Sequence, residues 1–292
     1  MRVAVVDVGT NSTRLLVADV EPDGDGGGEI SELDRRSTVT RLGQDVDATG
    51  RLADEAIGRV VEVLTEYRAA IDEHGADRTV AVLTSAVRDA ENGEEFLRRV
   101  RDDFGLDART ITGEEEARLT FLGATSERND DNETVVIDIG GGSTEYVVGK
   151  PGQDPSFHVS TQMGSVRYTE RYLNSDPPEH EELEQLAVAV RETVPDVSVG
   201  QGIAVAGTAT SLAAIDGAEE VHGYRLPLAT CERLVAMLAA LPVEERREVR
   251  GLHPDRAPTI VAGAVILTES IRAIGLVEIE VSVRDILHGA AL

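Results

Sequence analysis

Two stretches of the chain carry the same order of residue types. Val3-Ala4-Val5-Val6-Asp7-Val8-Gly9-Thr10-Asn11-Ser12-Thr13-Arg14 runs from an apolar segment into Asp-x-Gly, then small or amide residues, then Ser-Thr and a charge. Thr134-Val135-Val136-Ile137-Asp138-Ile139-Gly140-Gly141-Gly142-Ser143-Thr144-Glu145 does the same. A buried strand that feeds a Gly/Ser/Thr turn offers backbone N–H groups and hydroxyls to an anion, because residues without bulky side chains let the main chain approach phosphate oxygens. Two such turns facing each other would clamp a phosphate chain. The Asp at each strand end would then be repelled by those phosphates unless a divalent cation lay between them, so the pattern implies Mg²⁺ as well as phosphate. An Asp at a strand end also commonly just caps a turn, a reading that suits one copy better than two.

The elements that must position these turns are legible in the apolar spacing. The first half reads as strands at 2–8, 13–20 and 29–40, a helix at 53–74, a strand at 78–84, a helix at 93–104, a strand at 108–111 and a helix at 114–127. Ile57, Val60, Val61, Leu64, Tyr67 and Ile71 fall on one face of a helix. The glycine-rich stretch 22–28 reads as a hairpin loop. The pattern restarts after Asn129-Asp130-Asp131-Asn132: strands at 134–139, 144–148 and 156–160, helices at 166–173 and 179–194, a strand at 202–206, further helices, a strand at 277–283 and a last helix from Asp285. Three strands followed by alternating helix and strand, repeated once, describe a duplicated α/β unit.

Composition narrows the function classes. With 292 residues the chain is long enough for about two domains, and 41% hydrophobic with 28% charged residues is ordinary for a globular protein. Fifty-four acidic residues against 28 basic give a net charge of −26, which argues against a nucleic-acid or anionic-membrane partner, since those need a basic face. Lys150 is the only lysine, and no G-x-x-x-x-G-K-[ST] occurs, so a P-loop is excluded. The longest apolar run, residues 260–267, is far short of a membrane helix. A single cysteine, Cys231, rules out an intrachain disulfide, and the six histidines show no ligand spacing; the expected compartment is the cytoplasm.

Seven motifs in order, 7–14 (DVGTNSTR), 84–92 (TSAVRDAEN), 113–119 (GEEEARL), 138–145 (DIGGGSTE), 164–167 (GSVR), 207–211 (GTATS) and 282–289 (SVRDILHG), resemble the exopolyphosphatase and guanosine pentaphosphatase family. That family belongs to the actin, sugar-kinase and heat-shock ATPase superfamily. The resemblance spans the whole chain. It implies an α/β fold of two duplicated actin-like, ribonuclease H-like domains around a central cleft. The first would cover residues 1–125, with 285–292 packing back on it, and the second 126–284.

For the site, the resemblance places Asp7 and Asp138 beside Mg²⁺ and phosphate and assigns Glu145 to the metal side. Arg14, at the position equivalent to Glu145, reads as a phosphate clamp, and Asn11, Ser12, Gly141, Gly142, Ser143 and Thr144 would line the two cradles. Glu114-Glu115-Glu116 opens a helix, where acidic residues commonly serve the dipole. Thr112 and Glu115 have capping-box spacing, which makes Glu115 structural. Glu116 matches the family's catalytic glutamate, placed to deprotonate the water that attacks a terminal phosphorus. Among Arg41, Arg88, Arg167, Arg256 and Arg284, Arg88 is the preferred phosphate ligand, since a guanidinium pairs with phosphate oxygens. Thr208, at a helix start after a strand, either contacts a more distant phosphate or only turns the chain.

The expected activity is Mg²⁺-dependent release of the terminal phosphate of inorganic polyphosphate. Removal of the 5′ phosphate of guanosine pentaphosphate is the rival within the same chemistry, because both substrates end in the same group. The resemblance also implies that a chain ending at 292 lacks the helical domain of longer members, which favours short substrates. A kinase of the same fold and a non-catalytic sensor are less favoured. The oligomeric state stays open between monomer and homodimer.

Overall fold

The computed structural model describes residues 1–22 and 28–292; the core of the expected 22–28 loop, residues 23–27, lies outside the described residues. The chain divides into two compact units, Met1–Arg128 with Asp285–Leu292, and Asn129–Arg284.

Unit 1 contains β1 (Arg2–Val8), β2 (Ser12–Pro22), β3 (Gly28–Val39), α1 (Val46–Thr49), α2 (Asp54–His74), β4 (Arg78–Leu83), α3 (Ser85–Asp89), α4 (Gly93–Phe104), β5 (Asp107–Thr110) and α5 (Gly113–Thr125). Unit 2 contains β6 (Thr134–Ile139), β7 (Thr144–Gly149), β8 (Phe157–Thr161), α6 (Ser165–Tyr172), α7 (His180–Thr193), β9 (Gln201–Val205), α8 (Ala206–Asp216), β10 (Tyr224–Pro227), α9 (Leu228–Ala239), α10 (Val243–Arg246), α11 (Ile260–Ile274) and β11 (Glu278–Val281). The last helix, α12 (Ile286–Ala291), returns to unit 1.

The first sheet has the order β3-β2-β1-β4-β5, and the second β10-β11-β9-β6-β7-β8. Read from the opposite edge, the second sheet repeats the first strand for strand and adds β10 beside β11. The duplication read from the sequence is therefore present in the topology. β1 and β6 are central, antiparallel to the following strand and parallel to the next crossover strand. Strands so placed are covered on both faces, which is why both are nearly continuous apolar runs. Every residue of β6 is buried.

Helix α2 covers one face of the first sheet with Ala56, Val60, Val63, Leu64, Tyr67, Ala70 and Ile71. Ile57 and Val61, expected on that face, lie at its margin. The Tyr67 hydroxyl donates to the Thr13 carbonyl at 2.9 Å, tying α2 to the strand that leaves the first turn. In unit 2 the apolar 260–267 run is the front of α11, a core helix buried on nearly every side. No helix among the described residues is long and apolar enough to cross a membrane. Three short elements were not expected: α1, α3, which carries Arg88, and β10.

Candidate functional site

In unit 1, β1 delivers Asp7 to the sheet's end and Gly9 reverses the chain. The Gly9 N–H donates to the Ser12 carbonyl at 3.0 Å, and a Cβ on Gly9 would stand 3.0 Å from that same oxygen, so the turn closes tightly only without a side chain. The Thr10 carbonyl accepts from the Gly43 N–H at 2.8 Å, and the Asn11 carbonyl accepts from the Thr40 and Arg41 N–H groups at 3.0 and 2.9 Å. A trans peptide points its N–H opposite to its C=O, so pinning the Thr10 carbonyl turns the Asn11 amide away from residues 40–43. The side chains beside that amide are unsatisfied. Asp7 Oδ1, Asn11 Oδ1 and Ser12 Oγ are buried without a hydrogen-bond partner, and they are the only such atoms among the described residues. Buried polar atoms are normally paired, so three orphans in one turn mark a place for a ligand.

The other Asp7 oxygen is occupied. Cross-strand register sets Arg14 opposite Asp7, and the guanidinium binds Asp7 Oδ2 through Nε at 2.8 Å and Nη2 at 2.6 Å. Through Nη1 it also binds Asp285 Oδ2, at the start of α12. Arg14, expected at phosphate, thus bridges two buried carboxylates. Burial raises the Asp7 pKa above the ordinary carboxylate value, although Arg14 pulls against it. Asp285 is equally buried, yet Arg14 and His288 outweigh burial and hold its carboxyl well below that value.

Arg88 and Glu116, read separately from the sequence, come together. Arg88 Nη1 donates to Glu116 Oε2 at 3.2 Å and to the Ile111 carbonyl at 3.0 Å. Glu116 is buried in the first turn of α5, whereas Glu115 faces outward and pairs with Arg109. The capping box expected at Thr112 is only half made. The Thr112 hydroxyl accepts from the Glu115 N–H at 3.1 Å, but the Glu115 carboxylate is drawn to Arg109 instead of reaching back to the cap.

Unit 2 rebuilds the first turn with different charges. The Gly140 N–H donates to the Ser143 carbonyl at 3.0 Å, as Gly9 does to Ser12. Here α6 does the pinning: the Ser165 N–H donates to the Gly140 carbonyl, the Val166 and Arg167 N–H groups to Gly141, and Arg167 Nε to Gly142. By the same trans-peptide geometry the amides of Gly141, Gly142 and Ser143 point away from α6, and they make no hydrogen bond among the described residues. Gly164 permits the contact, because a Cβ there would lie 2.5 Å from the Gly142 carbonyl carbon. The Thr144 hydroxyl donates to the Met163 carbonyl and so braces the turn.

Asp138 and Glu145 sit directly opposite each other on β6 and β7, both buried. The Ser160 hydroxyl donates to Glu145 Oε1 at 2.7 Å. Like charges directly opposite in an antiparallel pair destabilise it, and unit 1 has Arg14 at the matching position. The Asp138–Glu145 pair thus sets two buried carboxylates side by side at the strand ends. No group of three or more His, Cys, Asp or Glu residues able to hold a metal ion occurs among the described residues.

Thr208 lies in the first turn of α8, after Ala206 with a φ of 64°. Left-handed backbone at a residue with a side chain is strained and clusters at functional sites. Arg256 lies over Gly207, and Thr208 is buried against α11, where a Cβ on Gly263 would stand 2.5 Å from its Oγ1. No hydrogen bond joins Thr208 to the 140–143 turn among the described residues.

Sequence reasoning missed two contributors, Gly164 and Asp285. Both lie in quoted motifs, GSVR and SVRDILHG, but their roles come from contacts with residues 22 and 271 positions away in the chain, Gly142 and Arg14.

The sequence model of the Ppx/GppA phosphatase family matches residues 17–291. The chain is 40% identical to Exopolyphosphatase 2 of Mycobacterium tuberculosis, over 100% of its own length and 98% of that protein's. Among solved structures, the Aquifex aeolicus member of the Ppx/GppA family is 34% identical with a TM-score of 0.81, covering 100% of this chain and 96% of that one. An exopolyphosphatase from Cytophaga hutchinsonii is 25% identical with a TM-score of 0.91, covering 100% and 96%. Twin sheets, twin Asp-x-Gly turns and full-length similarity agree: the chain belongs to the Ppx/GppA phosphatase family and has its two-domain actin-like α/β fold.

Proposed function

We propose that this protein is a phosphohydrolase that releases the terminal phosphate of inorganic polyphosphate and requires a divalent cation, Mg²⁺. The observation that carries the reading is the set of three unsatisfied buried oxygens in the Asp7–Ser12 turn. The similarity to Exopolyphosphatase 2 over the full chain supports the substrate class.

The donor set fits Mg²⁺, which takes oxygen ligands, is commonly held by one or two carboxylates and completes its octahedron with water and substrate phosphates. Asp7 Oδ1 in unit 1 and the opposed Asp138–Glu145 pair in unit 2 are the carboxylate oxygens suited to it. When bound, the cation supplies charge neutralisation of the phosphate oxygens. The backbone amides of Asn11, Gly141, Gly142 and Ser143, with the side chains of Asn11, Ser12, Ser143 and Thr144, serve as phosphate cradles. Thr208 is assigned to a more distant phosphate on the strength of its strained helix start. Arg14 is taken up by the Asp7 and Asp285 carboxylates.

Glu116 is the general base. It takes a proton from water as the water oxygen bonds to the terminal phosphorus and the P–O anhydride bond breaks, its electron pair leaving on the shortened chain. Arg88 fixes the Glu116 carboxylate through Nη1, and its Nη2 makes no hydrogen bond among the described residues, which suits a phosphate ligand. Burial pushes the Cys231 thiol up to about 12, so the single cysteine is an unreactive core residue compatible with the cytoplasm.

The test is orthophosphate release from polyphosphates of graded length beside guanosine pentaphosphate, with and without Mg²⁺. Release from polyphosphate that depends on Mg²⁺ is expected. Release from guanosine pentaphosphate alone would move the substrate to the nucleotide, and release from neither would end the phosphatase reading.

A further inference from the structure

Asp7, Arg14 and Asp285 form a buried triad in which one guanidinium serves two carboxylates. Asp285 is fixed from both ends. Its Oδ1 accepts from the Leu287 N–H at 3.1 Å, and its own N–H donates to His288 Nδ1 at 3.2 Å, a reciprocal cap at the start of α12. His288, fully buried, is held in turn by Glu32 of β3 at 2.8 Å from Nε2. Helix α12 is seated on α5 by glycine contacts: a Cβ on Gly123 would strike the Asp285 carbonyl, and one on Gly289 the Leu119 carbonyl. The result is a carboxylate whose position is set independently of the turn it faces.

The charges give this arrangement a purpose. Arg14 alone would cancel the charge of Asp7 and leave a poor cation ligand. With Asp285 included the triad sums to −1, and the oxygen with no partner is Asp7 Oδ1. We infer that Asp285, on the C-terminal helix, is a positioning residue that acts through Arg14: it offsets the guanidinium charge and so leaves the surroundings of Asp7 Oδ1 net negative toward a divalent cation. The inference rests on the proposed reading of Asp7 as a cation ligand.

Removing the Asp285 charge therefore weakens cation binding, and removing the Arg14 charge strengthens it. Two unit charges a few ångströms apart at an effective dielectric near 20 change an affinity on the order of tenfold or more. A residue that only held the turn together would weaken binding in both variants, so the opposite signs are diagnostic.

The experiment is direct Mn²⁺ binding by electron paramagnetic resonance, without substrate, on the full chain and its Asp7→Asn, Asp285→Asn and Arg14→Gln variants, with folding checked by circular dichroism. The expected result is weaker binding in Asp7→Asn, about tenfold weaker binding in Asp285→Asn and about tenfold tighter binding in Arg14→Gln. Unchanged binding in Asp7→Asn would overturn the reading of Asp7 and the inference with it. Weakened binding in Asp7→Asn, with Asp285→Asn unchanged or Arg14→Gln weakened, would overturn the inference alone. Should Asp285→Asn not fold, Arg14→Gln decides: tighter binding supports the inference, and unchanged or weaker binding overturns it.

Discussion

Glu116 and Glu115 are neighbours with the same functional group and opposite surroundings. Glu116 is buried beside Arg88, while Glu115 lies outside and pairs with Arg109. Glu116→Gln keeps the shape and cannot take a proton, so turnover should fall on the order of 10²–10⁴ with KM unchanged or lower. Glu115→Gln loses only a solvent-exposed ion pair and should leave steady-state phosphate release within about twofold, since such pairs contribute little. Asp285 gives a second prediction. Its folded pKa lies below its unfolded one, so its contribution to stability is complete above the unfolded value near 4 and is lost as pH falls toward the folded value. Melting temperatures measured from pH 6 to pH 2 should fall less steeply in Asp285→Asn than in the parent. Local pattern marks the two Asp-x-Gly residues in the sequence, whereas Glu116 stands out from its acidic neighbours there only through the family resemblance. The sequence did not expose the Arg14–Asp285 link, which joins residues 271 positions apart.

The elements were legible wherever a period had room to repeat. Helix α2 and strands β1 and β6 are long, strongly patterned and correctly located, and the duplicated strand order follows from them. Helix α3, with five residues, is too short for a 3.6-residue period to register, and its preceding residue Thr84 makes no side-chain cap. Strand β10 has four residues at a sheet edge, where one paired side imposes little pattern. What the apolar pattern hides most completely is the seating of α6 against the Gly140–Ser143 turn through Gly164. A methyl group there must push the helix off the carbonyls it pins. Gly164→Ala should cost about 1–3 kcal/mol in urea unfolding, the range for overpacking, and should lower phosphate release by loosening the amides of the turn.

For the whole molecule, the surplus of 26 negative charges sets the conditions under which the fold is most stable. Self-repulsion among exposed carboxylates is screened by salt, so the melting temperature should rise as NaCl is raised from about 0.01 to 1 M, the range over which the Debye length shrinks from about 30 to 3 Å. A flat or falling profile would show that ion pairs such as Arg2–Asp19 outweigh the repulsion. On the proposed reading, a polyanionic substrate would depend on local positive charge from Arg88, backbone amides and a bound cation. The most direct test is therefore orthophosphate release from polyphosphate by the parent and Glu116→Gln, each titrated with Mg²⁺ from a chelated start. Release that rises from zero with Mg²⁺ in the parent and stays at least about a hundredfold lower in Glu116→Gln is the predicted result. Release that persists under chelation, or that is equal in the two proteins, would contradict the account.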